Sequence, residues 1–206
     1  MTSVFEKLQG WVVQKVIDEA QSADQDLVHH YGSALALDQI APNELRQLYE
    51  HWATLKGQRL LPTRADVDIS QLGFCIGHLA VAEIEDDPFR VRYEFVGDGL
   101  IQLYGEDLTG RYVDELYSAP VRAEALSAYR RVVGTAEPMF TRRVFDLLIK
   151  RFGYYRLMLP LASSGRGVDH VLVGIYPTDG RVKRAVEWRS VAEILNFWRS
   201  TGFGSR

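Results

Sequence analysis

A chain of 206 residues, 47% apolar and 25% charged, suits one domain with extensions at its ends and is too apolar to be disordered. Its formal net charge of −3 provides no electrostatic basis for a nucleic-acid partner, and none is expected. The one cysteine, Cys75, has no internal partner for a disulfide and points to a reducing compartment.

The first residues, Met1 to Lys7, lack the basic-then-apolar order of a secretory signal. No run approaches the roughly 20 apolar residues of a membrane span, so a cytoplasmic protein with no membrane partner is expected. Residues 3–20 read as a helix with Phe5, Leu8, Val12 and Val16 on one stripe, and residues 21–40 as a polar linker or loosely attached helix. Pro42 opens a clearer helix, in which Leu45, Leu48, Trp52 and Leu55 form one apolar face and Gly57 marks the end. An irregular connector runs from Gln58 to Ser70. A strand near Leu79–Glu85 and a turn at Asp86-Asp87-Pro88 then lead into Phe89–Phe95, where Phe89, Val91, Tyr93 and Phe95 alternate with charged residues. Ala80, Ala82 and Ile84 compete with Leu79 and Val81 for the buried face of the first of these strands.

Gly97 and Gly99 read as a chain-turning pair before a short apolar helix of Leu100, Ile101, Leu103 and Tyr104, which Gly105 ends. One helical turn is expected within Tyr112–Tyr117. A long helix from Pro120 to about Thr135 carries Val121, Ala125, Ala128, Tyr129 and Val132 on its buried face. Three strands follow, near Met139–Ile149, Tyr154–Leu161 and Asp169–Tyr176, with Gly153 between the first two and a Ser163–Gly167 turn between the last two. Residues 183–200 read as a final amphipathic helix bearing Trp188, Val191, Leu195 and Trp198. This order is α+β, with one antiparallel sheet flanked mainly on one side.

Several segments in this order resemble one family. They are Trp52 with Lys56-Gly57 and Arg59; Pro62-Thr63-Arg64-Ala65-Asp66-Val67-Asp68; the strand into Gly97-Asp98; Gly105-Glu106-Asp107-Leu108-Thr109-Gly110; and Leu159-Pro160-Leu161. Together they make residues 43–176 similar to the small PAS-like proteins of bacteria, mainly alphaproteobacteria. The resemblance implies a five-stranded antiparallel PAS sheet with helices on one face, whose concave side can hold a small ligand. It divides the chain into an N-terminal helical extension (1–40), a PAS-like domain (41–177) and a C-terminal helix (178–206). It also implies contacts with a second copy or a signalling partner, and no enzymatic activity.

The chemistry-bearing residues fit that expectation. Gly97-x-Gly99 lacks the third glycine of a dinucleotide fingerprint, since Gln102 stands there. None of His29, His30, His51, His78 and His170 has a metal-ligand spacing, and only His170 is placed to approach the concave face. PAS domains that bind haem usually supply a histidine from the long helix, and residues 120–135 contain none. Those that bind flavin as light sensors use a cysteine in the short helix after the second strand; Leu100–Tyr104 has none, and Cys75 reads as a small apolar packer. No cofactor is therefore assigned.

The acids at Glu83, Glu85, Asp86 and Asp87, and at Asp107, read as turn formers, and the arginine pairs Arg130-Arg131 and Arg142-Arg143 as solvated faces. The residues expected to line a pocket are Tyr93, Phe95, Leu100, Tyr104, Tyr129, Phe145, Tyr155, Leu157 and Val171, with tyrosine hydroxyls or Arg156 orienting a largely apolar ligand. The expected function is non-enzymatic sensing or docking through a homodimer and a partner in trans. A cone-shaped α+β enzyme of the isomerase or hydratase kind would instead require a buried Asp or His with a perturbed pKa, and a dimerisation module would have no cavity.

Overall fold

The computed structural model describes residues 29–178 apart from 105, 117–118, 148–149 and 164–166, and describes no side chains for 29–32, 119–121, 145–147 and 150–152. The helices expected over residues 3–20 and 183–200, and most of the two extensions, lie outside the described residues. The elements are β1 (His29–Leu35), α1 (Asn43–Lys56), β2 (Leu79–Asp86), β3 (Phe89–Val96), α2 (Asp98–Tyr104), α3 (Val113–Leu116), α4 (Ala119–Thr135), β4 (Met139–Leu147), β5 (Lys150–Leu161) and β6 (His170–Pro177). The strands form one antiparallel sheet in the order β1-β4-β5-β6-β2-β3.

The expected PAS-like sheet is present, and it has a sixth strand. Residues 29–35, read from sequence as linker or helix, pair antiparallel with β4 from His29 opposite Asp146 to Leu35 opposite Phe140. His-His-Tyr-Gly-Ser-Ala-Leu has neither β-branched residues nor a clear alternation, so the open edge of β4 sets its conformation more than local propensity does.

Helices cover both faces, not one. The competition within β2 has a simple resolution: Leu79, Ala80, Val81, Ala82 and Ile84 are all buried, with alternate residues entering opposite cores. Ala80, Ala82 and Ile84 pack with Leu100, Leu103, Tyr129 and Val132 beneath the roof of α2–α4. Leu79 and Val81 join Leu45, Leu48 and Trp52 of α1, together with Leu157, Leu159 and Leu172, on the other face. α1 lies close because Gly174 of β6 offers no side chain to its Leu45 and Leu48: a Cβ there would stand 2.4 Å and 3.0 Å from their methyl carbons. The Trp52 indole Nε1 donates to the carbonyl of Pro160 at 2.9 Å, a buried bond spanning 108 residues of sequence. Pro160 lies beyond Met158, the last β5 residue that β4 pairs, so its missing N–H disturbs no β4 ladder bond.

The segments that carried the resemblance hold α1 and the roof in register. In the connector, Asp66 accepts from the Thr63 backbone at 2.7 Å and hydroxyl at 2.9 Å, and pairs with Arg59 at 2.9 Å. Hydrogen bonds from the Thr63 backbone and hydroxyl, followed by Arg59, hold the Asp66 carboxyl below the usual carboxylate range. Arg64 reaches Glu94 of β3 with two nitrogens, at 3.0 Å and 2.9 Å. Of the acids read as turn formers, Glu83 and Glu85 are cross-braces: Glu83 pairs with Arg92, and Glu85 accepts from the Tyr112 hydroxyl at 2.8 Å; Asp114 of α3 likewise takes Arg90 at 2.8 Å. Asp107 does close its loop, accepting from the Thr109 N–H at 2.9 Å.

Gly97 and Gly99 do not serve as positive-φ hinges; among the described glycines that backbone occurs at Gly57, Gly110 and Gly167. Their role is close approach. A Cβ at Gly97 would stand 2.0 Å from the Ile76 carbonyl oxygen, and one at Gly99 2.7 Å from that of Gly77. The turn Ile76–His78 is thereby seated against the start of α2, fixing the roof on the sheet. Gly153, expected between strands, sits inside β5 opposite Val144, where a Cβ would meet the Arg143 carbonyl at 2.9 Å.

Candidate functional site

The expected pocket residues divide between the two cores. Tyr93, Leu100, Tyr104, Tyr129 and Val171 lie beneath α2–α4. Phe95, Tyr155 and Leu157 face α1 on the other side and so cannot line the same pocket. For Phe95 the cause is a bulge: Val81 pairs with Phe95 but Ala82 with Tyr93, leaving Glu94 as an extra residue in β3. One inserted residue reverses the alternation, so Tyr93 and Phe95 point to opposite faces despite their spacing of two. Tyr155 and Leu157 follow β5's ordinary alternation, in which Tyr154 and Met158 take the roofed side. Phe145 lies on β4 opposite Phe152, and its side chain lies outside the described ones.

The roofed face carries charge that the arginine pattern had suggested would be solvated. Arg142 is exposed, but its neighbour Arg143 is only 4% exposed and Arg156 only 6%. Thr141 opposes Arg156 and Arg143 opposes Tyr154 across β4 and β5, which makes the two arginines diagonal neighbours on one face. Two like charges so placed repel unless a counter-charge lies nearby. Glu124 of α4 supplies it: one carboxylate oxygen pairs with Arg143 Nη1 and receives Arg156 Nη2 at 3.3 Å. The Nε–H of Arg156 is buried without an acceptor.

Tyrosines surround this group. Tyr129 of α4 hydrogen-bonds Tyr93 of β3, and Tyr104 of α2 and Arg156 also act on it; Tyr154 stands beside Arg156, Arg143 and Glu124. Burial, reinforced by Tyr93, pushes the Tyr129 hydroxyl well above its ordinary range, and burial likewise raises Tyr154 against the opposing arginines. Burial works against the charge on Arg156, while Tyr154, Glu124 and Tyr129 support it, and the net direction is upward. The guanidinium therefore remains a cation beneath the roof. Ile175, paired with Arg156 across β5 and β6, and Met158 adjoin this polar end, and Val173, Val171, Ala80 and Ala82 carry the apolar floor on from them.

His170 does not reach this face. It follows Leu172 and Tyr176 on the alternate side of β6, with Asp169 at 2.9 Å from Nδ1 and Glu94 at 3.7 Å from Nε2. His78 stacks on Tyr176 at 4.2 Å between ring centres, next to the α1 core. Cys75 is buried in that core, and burial, with Glu44 nearby, pushes its thiol up to about 12. Such a thiol is inert at neutral pH, in keeping with an apolar packing role. Among the described residues, no three of His, Cys, Asp and Glu converge in a way that could hold a metal ion, and no helix is long and apolar enough to cross a membrane.

The sequence reading had named Arg156 and the tyrosines but not Arg143 or Glu124. The available signal is the parity of the two strands, which puts Arg143 of β4 and Arg156 of β5 on one face once Thr141 pairs with Arg156.

A family model described as "PAS domain" matches residues 40–176. No curated protein matches the chain. Among solved structures it is similar to one described as "Structure of an RNA-binding Light-Oxygen-Voltage Receptor", at 14% identity and a TM-score of 0.40. That likeness covers 84% of this chain and 45% of the other, so the matched part is under half of that protein.

Proposed function

The chain belongs to the PAS domain family, and on that premise we propose that it is a non-enzymatic sensory module that takes a small, largely apolar ligand between the sheet and the α2–α4 roof. The response passes to a protein partner in trans. The observation that carries this reading is the Arg143–Glu124–Arg156 group beneath α4. A core that served only to be filled has no use for two buried guanidiniums, which are expensive to desolvate. Its position links the sheet floor to the roof helix, so a molecule bound there acts directly on α4.

The cone-shaped enzyme is the weaker reading. On the roofed face, among the described residues, the carboxylate is Glu124, engaged by arginines, and burial pushes the Tyr129 and Tyr154 hydroxyls up, away from neutral pH. A general base needs a pKa near the working pH. The buried, unpaired Cys75 fits a reducing compartment such as the cytoplasm.

A homodimer is the expected assembly. The apolar stripes in the sequence of residues 1–28 and 179–206, with Trp11, Trp188 and Trp198, require a partner surface. The central strands are already covered on both faces, by α1 and by α2–α4, which favours a second copy over the sheet.

Native mass spectrometry of the purified full chain, followed by denaturing extraction, tests the reading. A stoichiometric small molecule released on unfolding is the expected result. A mass equal to that of the bare chain or its dimer, from every expression host tried, supports a ligand-free dimerisation module instead.

A further inference from the structure

Arg156 is 94% buried by the complement of its 6% exposure, yet its Nε–H has no acceptor, and its bond to Glu124 is long at 3.3 Å. A guanidinium offers five N–H donors in a planar fork that matches a carboxylate. The Arg143 guanidinium stands diagonally beside it, and Tyr129 and Tyr154 add hydroxyl groups to the same end. Glu124, the carboxylate that does reach this fork, comes from the roof helix and not from the sheet, and its side chain is 27% exposed. Its carboxylate can therefore turn to water once another anion takes its place, whereas the arginines cannot. The floor beside them begins at Ile175 and Met158, runs on through Val173 to Ala80, and is apolar throughout.

We propose that Arg156, assisted by Arg143, is an acid-binding site, that Glu124 fills it in this structure, and that its ligand is a small monocarboxylic acid with an apolar tail. The inference rests on the reading that the roofed face takes a ligand, and it adds the ligand's chemical class. The ligand's carboxylate replaces that of Glu124 on the fork, its tail lies on the apolar floor, and Glu124 turns outward with α4. No covalent step is involved. An acid in place of Glu124 preserves charge compensation at the arginines, so the exchange leaves no buried cation uncompensated. A neutral molecule of the same shape cannot do this. The coupling follows from competition: one site has two mutually exclusive carboxylates, one of them fixed to the roof helix.

Isothermal titration of the full chain with hexanoate and with hexanamide tests the proposal. Hexanoate is expected to bind saturably and hexanamide about tenfold more weakly or not at all, because the amide lacks the charge that a guanidinium fork selects. Glu124→Gln removes the internal competitor and is expected to tighten hexanoate binding about tenfold, an effect that a merely structural Glu124 would not produce. Arg156→Lys, which keeps the charge and removes the fork, is expected to weaken hexanoate binding while leaving hexanamide unchanged. Equal binding of hexanoate and hexanamide overturns the acid site while leaving a ligand pocket in place. So does hexanoate binding that Glu124→Gln leaves unchanged. Failure of both probes to bind the wild type and Glu124→Gln overturns it as well, while a neutral molecule recovered by extraction would still uphold a sensor.

Discussion

Replacing Gly97 by alanine is expected to destabilise the protein by about 3 kcal/mol or more, at the upper end of overpacking effects. The reason is steric. The new Cβ would stand 2.0 Å from the Ile76 carbonyl oxygen, 2.8 Å from the Gly77 carbonyl carbon and 2.9 Å from its oxygen. All three are backbone atoms, which cannot rotate away as a side-chain tip can. The Gly97 N–H is also held by the Leu79 carbonyl at 2.8 Å, which removes the other way of giving ground. Gly134→Ala is the control: in α4, with nothing within 4 Å of the added carbon, it is expected to stabilise by roughly 0.5–1 kcal/mol through helix propensity and unfolded-state entropy. Urea unfolding of the two variants separates close packing from any general intolerance of substitution. Equal midpoints for the two variants would refute the view that Gly97 seats the Ile76–His78 turn on α2.

The second large effect concerns Glu124. Its replacement by alanine leaves Arg143 and Arg156 buried without that carboxylate. Removing one partner of a fully buried pair typically costs 3–5 kcal/mol, and the partial exposure of Glu124 lowers the expectation to about 2–3 kcal/mol. The informative comparison is the triple replacement of Glu124, Arg143 and Arg156 by apolar residues of similar size. It is expected to be as stable as the wild type or more so, because desolvating the ions cancels much of their attraction. Thermal unfolding of the two variants measures both. A destabilised single variant beside a stable triple variant means that the fold does not need the charges, which leaves binding as their use. A triple variant as unstable as the single one would make the cluster a structural strut.

Much of the fold could be read from the residues. The order of strands and helices, the stop of α4 before Pro138 and the buried stripe of α1 all follow from periodicity and from Gly and Pro placement. β1 could not be read, because His29–Leu35 is a strand only by pairing with the edge of β4. The second covered face could have been seen: two apolar sets competing along Leu79–Ile84 are the mark of a strand buried on both sides.

The site was half legible. Period-two reasoning placed Tyr93 correctly and failed two residues later, where the bulge at Glu94 turned Phe95 to the other core. For Tyr154 and Tyr155 alternation guarantees one on each face but not which. Arg142 and Arg143 are both charged and look equally solvated, but a strand sends adjacent residues to opposite sides, and Arg143 is the one that is buried. Glu124 lies beyond reach, since nothing local to α4 shows that it meets arginines of two strands 19 and 32 residues later in the sequence.

Hydrogen–deuterium exchange of the full chain tests most directly whether the roofed face is the responsive one. The chain as purified is compared with the same chain after unfolding, extraction of small molecules and refolding. Slower exchange in α2, α4 and the adjoining parts of β4 and β5 of the purified form, with α1 unchanged, is the expected result. Identical exchange throughout, or a difference centred on α1 and Trp52, would contradict it.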